Sequence, residues 1–380
     1  MLNLMMLDAP SWLEINLSAI ADNTRQIKSI CNNKTKLMAV VKADGYSLGA
    51  VPIAKTVLAN GADSLGVALL SEAVELRKSG VTEPIVILGY LAPPQIDNAI
   101  AYRITQTVYT LSMAEEISRR ATALKQKAFI QIKIDSGMGR LGFTLNQDNI
   151  NEAARIFNLP SLEVVGIVSH FAMSEAEDKS YSLQQKAVFD EFCRGLIQAG
   201  VSLPPRGIAN SAAIVHLPST HYETVRAGLA LYGYYAAANM EPLIKLTPSL
   251  TVRSRVSMVK ELAVGARISY GGKWQTARKS LIATLQIGYA DGISRYYADH
   301  GGEVLINGHR LPIVGNICMD QLMVDITDFS DVAMGDCAVL LGKDGDQEIS
   351  LDEMASKMGV INYEVLCRLG CRLPRIYYEK

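Results

Sequence analysis

The chain has 380 residues, with 37 Lys+Arg against 38 Asp+Glu and a formal net charge of −1, a balance that offers no electrostatic attraction to nucleic acid or to an anionic membrane surface. Hydrophobic residues make up 49% and charged residues 20%, which is the composition of a globular chain and excludes disorder as the dominant state. A chain this long exceeds what one hydrophobic core usually serves, so two domains are expected.

The first residues, MLNLMMLDAPSWLEINL, carry no positive n-region, and Asp8 and Glu14 interrupt the apolar run, so no export signal is expected. No stretch of the length needed to span a bilayer is free of charge, so no membrane segment is expected either. The run 12–17 reads as a strand that the first domain does not need, and it is expected to pair with the C-terminal domain. From residue 37 to about residue 230, short Val/Ile-rich runs alternate with segments of helical period. Strands are predicted at 37–43, 64–68, 85–89, 104–109, 129–135, 164–170, 206–209 and 224–228, with helical stretches such as 48–60, 72–78 and 181–199 between them. Eight βα units predict a (β/α)₈ TIM barrel, with an open doubly wound sheet as the alternative.

Beyond residue 240 the helical period disappears and alternating strands are predicted at 249–259, 280–287, 303–306, 310–317, 323–326 and 337–341. Asn307-Gly308 is a hairpin turn signal, and Lys343-Asp344-Gly345-Asp346 is a polar turn of the same kind. The seam therefore lies near 237–242. The expected organisation is an N-terminal segment 1–13 that pairs with the C-terminal domain, a barrel over 14–240 and a mostly antiparallel β domain over 241–380. The six cysteines, at 31, 193, 318, 337, 367 and 371, lack C-x-x-C spacing. Reduced thiols, a cytoplasmic location and no metal site are the expectation.

In a barrel, reactive side chains stand at the C-terminal ends of the strands. The first strand runs into Lys42, where partial desolvation would lower an amine's proton affinity and suit it to imine chemistry; taken alone, a snorkelling lysine fits as well. His170 ends the sixth strand and Arg226 stands in the eighth, either of them an ordinary structural residue if alone. Ser211 follows the seventh strand after Asn210, and Gly228 follows the eighth. Loops after strands seven and eight commonly bind phosphate, although Ser211 also suits a plain helix cap. A lysine facing a phosphate cradle is what pyridoxal 5′-phosphate (PLP) requires, with Arg226 a candidate for the pyridine nitrogen.

Eight ordered segments then resemble the alanine racemase family: Val41-Lys42-Ala43-Asp44 with Tyr46, residues 133–143, Ser169-His170-Phe171, residues 209–213, 268–272, 288–292, 318–325, and Asn362-Tyr363-Glu364. The resemblance implies a homodimer that binds PLP in a barrel and shares its active sites, racemising L- and D-alanine for cell-wall peptidoglycan. It implies Lys42 and Tyr270 as the two catalytic bases, on opposite faces of the substrate. It implies Lys42, Tyr46, His170, Asn210, Ser211, Arg226, Gly228, Leu229 and Tyr363 around the cofactor. Arg140, Met319 and Tyr289 would meet the substrate, and Lys133 resembles the lysine that many members carbamylate. A tyrosine is a poor base at neutral pH, so Tyr270 needs nearby positive charge or hydrogen-bond donors, which His170 and Arg226 in line would supply.

Some segments depart from the family's common forms: Ser47-Leu48-Gly49 stands where many members have Gly-His-Gly, and 273–275 and 292–295 also vary. These leave open a serine or broad-specificity racemase. A PLP decarboxylase of the same plan and a non-catalytic PLP-binding barrel are the further alternatives. The decarboxylase family tends to place an acidic residue where Arg226 stands, and the non-catalytic barrel lacks a β domain and a Ser-Tyr-Gly-Gly segment.

Overall fold

Eight short strands recur through the first two thirds of the chain, and in the computed structural model all eight join one parallel sheet. The structure describes residues 9–237, 240 and 243–379. Residues 1–8 of the expected N-terminal segment, and 238, 239, 241 and 242 of the seam, lie outside the described residues. The described residues divide into a barrel unit, Ala19–Gly45 with Ala50–Pro248, and a β unit of 9–18, Tyr46–Gly49 and 249–379. Those divisions fall after Ser18 and Pro248, a few residues beyond the boundaries at 13/14 and 240/241 read from the sequence.

The barrel strands are β2 (Lys36–Val40), β3 (Ser64–Val67), β4 (Ile85–Ile87), β5 (Thr105–Val108), β6 (Ala128–Lys133), β7 (Leu162–Val168), β8 (Arg206–Gly207) and β9 (Thr224–Ala227). Their order is β8-β7-β6-β5-β4-β3-β2-β9. The two ends of that path meet: the Arg226 amide donates to the Ala209 carbonyl (3.0 Å) and the Thr224 hydroxyl to the Arg206 carbonyl (2.8 Å). The sheet is thus a nearly closed barrel, and the open alternative is set aside. Helices form the outer layer because their apolar stripes need that sheet face. The helix Leu111–Ala123, for example, buries Leu111, Ala114, Ile117, Ser118 and Ala121, and Thr110 caps its N-terminus. Covering Ile117 alone contributes roughly 1.5–3 kcal/mol relative to leaving it in water.

The β unit is built on a second, nine-stranded sheet. Its central strand is β10 (Leu250–Leu262), flanked by β1 (Ser11–Asn16), β13 (Ser280–Leu285) and β17 (Cys337–Asp344). The strand β1 runs antiparallel to β10 and parallel to β19 (Arg375–Tyr378), filling the position between them. The hairpin β14 (Glu303–Ile306) to β15 (His309–Pro312) turns at Asn307-Gly308, and β18 (Gln347–Ile349) folds back on β17 after Gly345-Asp346. The strand β16 (Leu322–Asp325) pairs with β13, and a two-residue pair, β11 (Arg267–Ile268) with β12 (Trp274–Gln275), stands apart. Helical structure does not end at the seam, as the sequence pattern implied. Helices Leu351–Met358 and Asn362–Arg368 follow β18, the first capped by Ser350, whose hydroxyl accepts the Glu353 amide (3.1 Å), and stopped at Gly359. They are too short for their period to stand out in a strand-rich stretch.

Candidate active site

The strand ends of the barrel carry a concentration of cations. Lys42 follows β2 after Val41 and is exposed; Lys133 closes β6 and Arg226 lies within β9, each 7% exposed. His170 follows β7, partly buried, and Arg140 is exposed on the loop after β6. Arg226 Nη2 lies 3.0 Å from His170 Nδ1 and also bonds the Ser169 carbonyl. A guanidinium can only donate, so Nδ1 of this histidine is the acceptor and its ring proton sits on Nε2.

Burial, then Arg226, Lys133, Arg140 and Lys42, hold His170 well below the ordinary imidazole range, so it is neutral at physiological pH. Burial, then Arg226 and Arg140, lower Lys133 to about 7, against the pull of Asp135. Its Nζ donates to the Ile134 carbonyl (2.9 Å). Arg226 is lowered to about 10, by burial first and Arg140 second, and stays charged. The mouth therefore gathers positive charge with little carboxylate to neutralise it.

Asp135, two residues after Lys133, is occupied in shaping the loop. Its Oδ1 accepts the amides of Gly137 (3.0 Å), Met138 (2.9 Å) and Gly139 (3.1 Å). Burial opposes its ionisation, but those three donors and Lys133 prevail and hold it below the usual carboxylate range. The loop returns at Gly142, at φ +134°, where any Cβ would stand 2.2 Å from the Asp135 nitrogen. Arg140 is thereby presented from a fixed turn. On the loops after β8 and β9, the Gly228 amide donates to Ser211 Oγ (2.9 Å), and Asn210 Oδ1 accepts from Ala213 N (3.0 Å) and Ser174 Oγ (2.7 Å). Leu229, next to Gly228, is fully buried. The loops after β8 and β9 are so tied to each other, and the Ser211 hydroxyl retains its proton to donate.

Behind Lys42 the backbone turns left-handed for five residues, Ala43, Asp44, Gly45, Tyr46 and Ser47, at φ between +52° and +66°. Each non-glycine residue there costs about 1–2 kcal/mol. Local bonds offset this: Gly45 N to Val41 O (2.9 Å), Ala50 N to Asp44 Oδ1 (2.8 Å) and Ala43 N to Glu72 Oε1 (2.7 Å). Strain of this kind persists where the surroundings over-determine it, as functional sites do.

The β unit holds the other predicted residues. Tyr46 is buried and its ring centroid lies 6.2 Å from that of Tyr363. Burial, then Tyr363 and Cys367, push the Tyr46 phenol up, so it is a neutral hydrogen-bonding group. Tyr270 (73% exposed), Met319 (52%) and Tyr289 (43%) project from three turns. The loop 315–321 joins them: Tyr289 N donates to Cys318 O (3.0 Å), Ala290 N to Met319 O (3.0 Å), and Asn316 Nδ2 to Tyr270 O (2.6 Å). Arg372 bridges Asp291 (2.8 Å) and Asp320 (2.7 Å). Gly288 admits this approach, since a Cβ there would stand 2.3 Å from the Cys318 carbonyl.

Lys42, Lys133, Arg140, His170 and Arg226 thus form one group in the barrel unit, with Asn210, Ser211, Gly228 and Leu229 on linked loops beside it. Tyr270, Tyr289 and Met319 form another in the β unit, and Tyr46 with Tyr363 a pair there. Sequence reasoning did not single out Asp135, Ser269 or Asn316. Asp135 two residues before a glycine was a readable turn signal; the other two act through a loop distant in the chain, which no local pattern reports.

A nearly closed barrel with a lysine at one strand end, an arginine-backed histidine at another, and a β unit presenting an exposed tyrosine define a barrel-type amino acid racemase. The family of the alanine racemase N-terminal domain matches residues 15–236 and that of the C-terminal domain residues 249–377. The chain is 44% identical to the alanine racemase of Clostridium perfringens strain SM101, over 97% of this chain and 95% of that one. The structure of the Clostridium difficile 630 alanine racemase superposes with a TM-score of 0.94 at 37% identity, over 98% of this chain and 96% of that one. That of the Bartonella henselae alanine racemase, which has covalently bound pyridoxal phosphate, gives 0.86 at 29% identity, over 97% and 100%. The chain belongs to the alanine racemase family, whose members are PLP-dependent isomerases.

Proposed function

We propose that the chain racemises alanine with PLP held at the barrel mouth, using Lys42 and Tyr270 as bases on opposite faces of the substrate. The observation that carries this reading is the Arg226–His170 pair beside a cationic mouth. An arginine, unlike a carboxylate, leaves a facing pyridine nitrogen unprotonated, since two adjacent cations repel. The residues suit the group: Lys42 as its covalent anchor, Arg226 toward the ring nitrogen, and Ser211, Tyr46, Tyr363, Asn210, Gly228 and Leu229 around the phosphate. PLP, when bound, supplies an electron-withdrawing ring that acidifies the substrate's α-hydrogen.

Lys42 Nζ takes the α-proton of D-alanine and returns one in the reverse direction; Tyr270 Oη does the same for L-alanine. Neutral His170, with Nδ1 facing Arg226, keeps Nε2–H as a donor that favours the phenolate of Tyr270. Charge thus comes from Arg226 and the hydrogen bond from His170. Arg140 and the Met319 backbone receive the substrate carboxylate, and Tyr289 restricts the entrance. An amine lowered to about 7 is partly neutral near physiological pH and can add carbon dioxide; a carbamate on Lys133 would be an anion that fixes Arg140.

Tyr270 acts in the partner's site of a homodimer; its 73% exposure in a single chain supports this. Six free cysteines suit a reducing cytoplasm, and D-alanine would serve peptidoglycan synthesis. Among the described residues no helix is long and apolar enough to cross a membrane. The test is to incubate the PLP-loaded protein with single enantiomers in deuterated water and resolve the products on a chiral column. Alanine should be racemised fastest and serine more slowly. Equal kcat/KM for lysine would instead support a broad-specificity racemase, and release of carbon dioxide a decarboxylase.

A further inference from the structure

Within its own chain Tyr270 has little packing around its ring, yet a base must be held within a fraction of an ångström of its proton. What holds it is in the backbone. Ser269, immediately before it, lies at φ +62° and ψ −178°, a region that glycine alone occupies readily. Its Oγ donates to the Asn316 carbonyl (2.6 Å) and lies 3.4 Å from Cys318 Sγ. Asn316, 4% exposed, returns the contact, its Nδ2 donating to the Tyr270 carbonyl (2.6 Å). One residue thus grips both ends of the Ser269–Tyr270 unit, through its own carbonyl and its own amide. The same loop carries Met319 and holds the backbone of Tyr289.

We propose that Asn316, acting with Ser269, is a positioning residue that locks the strained turn and so aims Tyr270 at the substrate. The inference rests on Tyr270 being the base for L-alanine. Neither residue touches the reacting atoms; their effect passes through the tyrosine's backbone. The lock selects which proton transfer suffers when it is broken: transfer at the Tyr270 face falls, while transfer at the Lys42 face is untouched. A residue needed only for folding would lower both together.

Two variants separate position from stability. Asn316→Asp keeps the carbonyl that Ser269 grips but replaces the donor with a carboxylate that repels the Tyr270 carbonyl. Ser269→Gly removes the hydroxyl while relieving the backbone strain, so it should melt no lower than the wild type. In the PLP-loaded enzyme, α-hydrogen exchange of L-alanine with deuterated water should fall about tenfold or more in both variants, as loss of alignment implies. D-alanine exchange should stay within about twofold, with KM little changed and kcat carrying the loss. Hydrogen-exchange mass spectrometry should show faster amide exchange across 268–275 in both.

Tyr270→Phe serves as the reference. If it keeps L-alanine exchange, Tyr270 is not the base, and the inference falls with that reading. If Tyr270→Phe loses it while Asn316→Asp and Ser269→Gly match the wild type, the inference alone is overturned. Equal loss of both enantiomers' exchange in the two variants, or unaltered protection of 268–275, overturns it as well.

Discussion

In the barrel unit, Lys133 and Arg226 stand on strands and are each 7% exposed; in the β unit, Tyr270 stands on a three-residue turn and is 73% exposed. The barrel residues are placed by sheet register, which fixes every side chain on a strand at once. Arg226 pairs across with Met38, and Lys133 with Val168, so the mouth's geometry is a by-product of closing the sheet. The tyrosine has no such scaffold. Its turn is held by a distant loop through a few hydrogen bonds, and its backbone carries strain. Burial makes the barrel residues electrostatically unusual and mechanically ordinary; the turn residues are the reverse.

Removing the anchor on the barrel side should do the most damage. With Lys42 as the proposed base and PLP anchor, Lys42→Ala should lower racemisation at least about 10⁴-fold. The wild type should be yellow, and borohydride should fix PLP on Lys42, read by mass spectrometry; an adduct on another lysine would break the assignment. On the opposite side, Tyr270→Phe should cost about 10²–10⁴-fold in racemisation in both directions. It should still exchange the α-hydrogen of D-alanine with retention. Mixed dimers of the two inactive variants should regain activity, because one of their two sites then carries both wild-type bases; verified mixed dimers without activity would place Tyr270 in its own chain's site.

A smaller effect tests the electrostatic half of the comparison. Burial and the neighbouring arginines lower Lys133 from 10.5 to about 7. Between those values the unfolded chain binds more protons than the folded one, so stability rises with pH across that window. In carbon dioxide-free buffer, Lys133→Met should therefore be more stable than the wild type by roughly 3–5 kcal/mol below pH 7, by the linkage relation. The gain should shrink through the window and vanish above about pH 10.5. Added bicarbonate should narrow the difference at pH 8 if the lysine is carbamylated. The variant should also lose activity. A pH-independent difference in denaturant midpoints would break the account.

The smallest effect is purely local. Ser350→Ala removes the cap of the helix Leu351–Met358 and should cost about 1 kcal/mol without changing kcat. Thermal melting and initial rates check it. A large loss of activity would mean that this helix, next in sequence to the one bearing Tyr363, positions the site more tightly than a cap implies.

Much of the architecture is legible in local pattern. The eight parallel strands, the Asn307-Gly308 hairpin and the turn before β18 follow from alternation and turn residues, whose physics reaches only a few positions along the chain. The helices after β18 escaped that reading because two turns give too few repeats of the helical period. Among the proposed site residues, Lys42, His170 and Arg226 are readable because strand ends in a barrel have a known destination. Tyr270 is not; only the ordered family segments point to it.

What the sequence by itself determined are the properties set by neighbours in the chain: where strands begin, where they turn, and which residue types stand at their ends. The tertiary structure decided what depends on distant neighbours. The strands β8 and β9 meet through the Arg226 and Thr224 bonds; β1 lies between β10 and β19, more than two hundred residues away in the chain. Lys133 is lowered to about 7 because burial and two arginines act on it together. Ser269 holds a glycine's conformation because Asn316, forty-seven positions further on, holds it there. Desolvation and long-range hydrogen bonds depend on the whole surrounding volume, and that volume exists only once the chain has closed on itself.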